Sequence, residues 1–138
     1  MGGGPHMGFL YEEAFEHGDF DVIVQHEGED VIGPIADILL HFPADRQGDE
    51  LAKIGGIAYK QGSASVLTPK RRTINSDFVE LPDYASVVGL SPQTPWAAGV
   101  LETVRGCTEN CSYCEVIKQF LGYRMVGREV EWKRLEQL

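Results

Sequence analysis

Cysteine is scarce in this chain and histidine stops early. The 138 residues hold three cysteines, none before residue 107, and four histidines, His6, His17, His26 and His41. No disulfide can therefore staple the first 106 residues. A disulfide within the trio would close a very short loop and leave one thiol over. A Cys3His zinc site finds no histidine after the cysteines, and zinc sites favour cysteine pairs with a second ligand pair further along. No apolar run approaches the roughly 20 residues that a membrane span requires. The glycine-rich start, Met1 to His6, has no cationic apolar segment of the secretory kind. Basic residues are few, 12 against 21 acidic ones, for a net charge of −9. Residues 1–60 carry all of that deficit, with twelve acids and three bases, whereas residues 61–138 hold nine of each. An acidic first half argues against nucleic acid as a partner. The one basic run, Lys70-Arg71-Arg72, reads as a solvated turn rather than a phosphate site. Few, clustered thiols suit a reducing cytoplasm.

What is present is concentrated. Cys107, Cys111 and Cys114 occupy eight residues with the spacing C-x-x-x-C-x-x-C. Thiolate is the usual protein ligand of iron–sulfur clusters, and a ferredoxin-type cluster takes four. Three thiolates on one loop hold three corners of a 4Fe–4S cube and leave the fourth iron open to a small molecule. That pattern points to chemistry rather than electron storage. A non-catalytic iron–sulfur or zinc-binding module and an α/β interaction domain with incidental thiols are the alternatives from other classes.

Around this motif the chain reads as α/β. Gly8 to His17 is expected to be a short helix with Phe9, Leu10, Ala14 and Phe15 toward the core, ended by Gly18 in a left-handed conformation. Asp21 to His26 lacks strict alternation, which fits a parallel strand buried on both faces. Asp30 to Phe42 repeats apolar residues at helical spacing, with Pro34 in its first turn. Gly55–Lys60 and Ser65–Thr68 read as two strands joined by a turn. Residues 69–96 hold four of the seven prolines and read as a linker. Ala98 to Val104 is expected to be a strand running into the cysteine loop. Tyr113 to Leu121 and Arg128 to Leu138 are expected to be helices, the second with Val130, Leu135, Leu138 and Trp132 as packing residues. Glu27-Gly28-Glu29 lies at the strand edge where open α/β sheets bind ligands, although carboxylates at a helix N-terminus are the plainer reading.

The cysteine spacing resembles that of the radical S-adenosylmethionine (radical SAM) enzymes. Tyr113 fills their usual aromatic position, and Arg105-Gly106 precede the first cysteine as in members with a cobalamin-binding domain upstream. Gly3-Gly4-Pro5-His6, then Asp21-Val22-Ile23-Val24-Gln25-His26-Glu27-Gly28-Glu29, Gly56-Ile57-Ala58-Tyr59 and Leu81-Pro82-Asp83-Tyr84 follow the order of such proteins. Gly4-Pro5-His6-Met7 also resembles a cloning remnant, and the continuing match favours native sequence. The resemblance implies that residues 1–68 are the C-terminal part of a Rossmann-like cobalamin-binding domain. It makes 69–96 the linker, and 97–138 the first β/α unit of a partial radical SAM barrel. It implies a 4Fe–4S cluster on Cys107, Cys111 and Cys114, S-adenosylmethionine on the open iron, and Tyr113 beside that cofactor. Gly3 and Gly4 would lie by the cobalamin tail, where absent Cβ atoms let a large cofactor approach the backbone. The parent activity would be radical chemistry or methyl transfer on an unknown substrate, with a flavodoxin or ferredoxin as reductant. Arg124 either faces the cofactor or forms a salt bridge. No catalytic side chain is singled out. The chain is expected to be an internal piece of a longer enzyme.

Overall fold

The computed structural model describes residues 1–83 and 100–137. Its first sheet grows from three apolar residues. β1 (Val22–Val24) is wholly buried, as an unbroken Val-Ile-Val run demands. β2 (Ile57–Gln61) pairs with it antiparallel, Val22 opposite Tyr59 and Val24 opposite Ile57. β3 (Ala64–Leu67) completes the order β1-β2-β3 through a tight hairpin, in which Gly62 takes φ +65°. That positive φ is what a two-residue hairpin turn requires at its first central position.

Alternation along β1 sorts the core into two layers. Val22 and Val24, with Ile57 and Tyr59, pack against Val31, Ile35, Ile38 and Leu51. Ile23 and Ala58 face the other way, onto Phe15. Helices α3 (Ile32–His41) and α4 (Ala44–Leu51) supply the first layer, and α1 (Pro5–Phe9) and α2 (Tyr11–His17) the second. The strand is thus covered on both faces, but its direction differs from the parallel expectation. The reason is α4, a helix whose single buried side chain leaves no apolar period in the sequence. One crossover helix returns the chain parallel to its first strand. With two helices between the strands the chain reverses three times, so β2 re-enters antiparallel. Among the described residues a parallel neighbour survives at Gly2, which bridges Ile23 through Gly2 N to Val22 O at 2.8 Å and Val24 N to Gly2 O at 2.9 Å.

Other boundaries also shift. The expected helix 8–17 is two helices broken at Leu10, which is exposed rather than in the core. Gly18 ends α2 in extended backbone, φ −125°, not left-handed. Its need is space, since a Cβ there would collide with the Phe20 ring.

Residues 69–83 carry one 3-10 turn, Ser76–Phe78; residues 84–96 of the expected linker lie outside the described residues. The expected strand 98–104 is likewise described only from Val100. There the described residues form β4 (Val104–Arg105), which runs antiparallel to β5 (Arg124–Met125). α5 (Val116–Phe120) and α6 (Arg128–Leu135) complete the described chain. Of the packing residues expected in α6, Val130 is half-buried and Leu138 lies outside the described residues. Trp132 and Leu135 are exposed, and the buried residue is Arg134, whose guanidinium donates to the carbonyls of Ser76, Asp77 and Val79. Among the described residues no helix is long and apolar enough to cross a membrane.

Candidate functional site

The cysteine loop is suspended between β4 and α5, and its base is closed by backbone. Gly106 (φ +85°) stands against Gly122 (φ +126°), and a Cβ on Gly106 would overlap the Gly122 carbonyl. The Val104–Met125 and Arg105–Arg124 pairs bind the same two segments together. Cys107 therefore follows the end of a strand by two residues. Cys114 N donates to Cys111 O at 3.1 Å, which turns the loop between the second and third thiols. Glu109 N donates to Cys107 Sγ at 3.4 Å. All three cysteines are free; Cys107 and Cys114 are half-buried and Cys111 is exposed. Tyr113 is 87% exposed.

The structure brings the thiols onto one loop but does not draw them to a point. Among the described residues no three Cys, His, Asp or Glu side chains are gathered around a common centre. The donor chemistry nevertheless fits an iron–sulfur cluster. The site offers three free thiols and an N–H directed at one sulfur. Hydrogen bonds to the sulfurs are among the levers that tune such a cluster.

The loop meets the first sheet at the carboxyl end of β1. His26, in the left-handed region at φ +59°, donates from Nδ1 to Gln119 O at 3.1 Å, and Gln119 Nε2 donates to His26 O at 2.7 Å. Gly3 lies against Val24, and Gly4, φ +88°, has open space where a Cβ would stand. The paired glycines and the cysteine loop thus flank one strand end.

Beside them is a buried charge cluster. Glu27 is 5% exposed. Its Oε1 accepts from Arg105 Nη1 at 2.9 Å and Arg124 Nη2 at 2.6 Å, and its Oε2 accepts from Ile74 N at 3.3 Å. Arg105 also binds both carboxylate oxygens of Glu102, at 2.7 and 2.9 Å, and Glu29 at 2.5 Å. Arg71 pairs with Asp30. Burial alone would lower the pKa of Arg105. Its hydrogen bonds to Glu102, Glu29 and Glu27 outweigh that and raise it. Burial likewise pushes Glu29 up, and hydrogen bonds from Arg105 and from backbone N–H groups bring it below the usual carboxylate value. Arg71 is lowered, chiefly by burial, against the attraction of Glu27 and Glu29. Glu27 stands five residues before α3 and does not act as a carboxylate of that helix's first turn. It is the partner of two arginines far along the chain. For Arg124 the salt bridge is the reading that holds. Arg105 was noted only for its place before Cys107, and nothing local in the sequence named its partners.

These features define a mixed α/β protein with a three-thiol loop set against a buried carboxylate–guanidinium cluster. No family model matches the chain. It is 35% identical over 136 residues to an uncharacterized methyltransferase of Pyrococcus horikoshii, which covers 94% of this chain and 27% of that protein. It is 28% identical over 129 residues to the anaerobic magnesium-protoporphyrin IX monomethyl ester cyclase of Cereibacter sphaeroides, which covers 89% of this chain and 20% of that enzyme. Both relatives are named as enzymes, and the chain spans about a quarter of their length or less.

Proposed function

We propose that this chain is the junction of a cobalamin-binding domain and a radical SAM domain, with residues 1–68 and 97–138 on either side of the linker 69–96. Cys107, Cys111 and Cys114 hold a 4Fe–4S cluster. The observation that carries this reading is the loop itself: three free thiols at C-x-x-x-C-x-x-C spacing, suspended just beyond a strand end. Similarity over most of the chain to a methyltransferase and a cyclase supports it. Held by these three thiols, such a cluster would supply one electron to S-adenosylmethionine, whose reductive cleavage would give methionine and a 5′-deoxyadenosyl radical for radical or methyl-transfer chemistry on an unidentified substrate.

The chain's own residues bind and position. Gly106 and Gly122 fix the loop's base, and Glu109 N donates to the Cys107 sulfur, an interaction that strengthens as the thiol becomes thiolate. Gly3 and Gly4 leave room for a cobalamin tail at the strand edge, and exposed Tyr113 is available to the S-adenosylmethionine. A flavodoxin or ferredoxin is the fitting reductant, in a cytoplasm that keeps the thiols reduced.

The test is anaerobic reconstitution of the 138-residue chain with iron and sulfide. About four irons per chain and a broad visible absorbance that fades in air are expected. Alanine at any one of the three cysteines should abolish both. One tightly held zinc with no iron uptake would instead make this a zinc module, and no metal at all would leave the thiols incidental.

A further inference from the structure

β4 and β5 share only two residue pairs, too few to stand alone in water. One pair is Arg105 opposite Arg124. Like charges directly opposite across two strands destabilise the pair. The hairpin that closes the cysteine loop is therefore built around a repulsion. What answers it is Glu27, whose single oxygen Oε1 accepts from both guanidiniums. Glu27 comes from the other half of the chain, just past β1, and its second oxygen accepts from Ile74 N. Apolar burial does little here: between residues 100 and 137 the described buried side chains are Arg105, Gln119, Arg134 and one hydrophobic residue, Val126.

We infer that Glu27 is a positioning residue for the cysteine loop, drawing Arg105 and Arg124 together so that the segments before Cys107 and after α5 meet at the carboxyl end of β1. Removing its charge leaves the buried Arg105 guanidinium, still paired with Glu102 and Glu29, facing the half-buried Arg124 guanidinium across the loop's base. The base then opens, and Cys107, two residues from Arg105, is freed first. Cys111, at the exposed tip, is unaffected. The consequence for the cluster rests on the function proposed above; the consequence for the loop does not.

The experiment compares the 138-residue chain with Glu27→Gln and Glu27→Asp. In metal-free protein, hydrogen exchange at residues 104–106 and 124–126 should speed up about tenfold or more in Glu27→Gln, while the β2–β3 hairpin keeps its protection. Alkylation of Cys107 by iodoacetamide should quicken and that of Cys111 stay the same, a split that general loosening would not produce. Glu27→Asp should restore part of both. After anaerobic reconstitution, Glu27→Gln should hold less than about half the iron of the parent chain. Unchanged exchange and alkylation in Glu27→Gln overturn the inference, whatever the iron content. If the parent chain takes up no iron, the cluster reading fails and exchange and alkylation alone decide the role of Glu27. If Glu27→Gln exposes β2–β3 as well, Arg124→Gln decides. Selective loss at 104–106 supports the inference, and uniform or no loss overturns it.

Discussion

At the scale of single residues, the positions that matter most around the loop are those where one atom decides. Gly106 is the clearest. Its φ of +85° is costly for any residue with a Cβ, and the added carbon would sit in the Gly122 carbonyl, which is backbone and cannot swing aside. Gly106→Ala should therefore part β4 from β5. Loss of protection at residues 104–106 and 124–126, with the first sheet intact, is the expected exchange pattern, together with failure to reconstitute a cluster. Full protection in the variant would show that the backbone yields more easily than the geometry implies. The glycine was visible in the sequence beside Cys107, but its reason was not. The need arises from Gly122, 16 residues on, and only the fold puts the two face to face. Cys107, Cys111 and Cys114 are the opposite case. Thiol spacing within eight residues is a local property, so the sequence shows the trio directly.

Among elements, strand β1 was legible and its neighbourhood was not. Val22, Ile23 and Val24 in a row announce burial on both faces, because a half-exposed strand would alternate. α3 was equally legible, with Val31, Ile35 and Ile38 at helical spacing on the core side. Ile35 is fully buried in that layer. Ile35→Ala should cost about 2–5 kcal/mol, from lost apolar transfer and the cavity left behind, measurable as a lower denaturation midpoint with an unchanged slope. A cost under about 1 kcal/mol would mean that α3 and α4 collapse into the gap. α4 has no apolar period in the sequence, because Leu51 is its only buried side chain and the rest of Ala44–Leu51 is charged, polar or small. Missing that one helix also misdirected the sheet, since the number of helices between β1 and β2 sets whether the second strand returns parallel or antiparallel. α6 misled in the other direction. Its apolar residues suggested a packed face, yet the helix is held by Arg134 reaching three backbone carbonyls.

For the whole molecule, the first half is an apolar three-layer core and the second half is tied to it by charge. That division predicts how acid should act. Glu29 is held below its ordinary carboxylate value, so its bond to Arg105 stabilises the fold fully above about pH 4.5 and is lost as the pH falls through the lower folded value. Arg105, its pKa raised, stays charged throughout. Residues 104–106 and 124–126 should then lose exchange protection on acidification before β1, β2 and β3 do. Simultaneous loss in both regions would mean that the link is not the weaker part. The sequence by itself determined the three-thiol loop, the buried strand and the acidic first half, because each depends on residues adjacent in the chain or on composition alone. Only the tertiary structure decided what Glu27 does. Its two arginines lie 78 and 97 residues away, and a buried charge takes whatever partner the fold places within hydrogen-bonding distance.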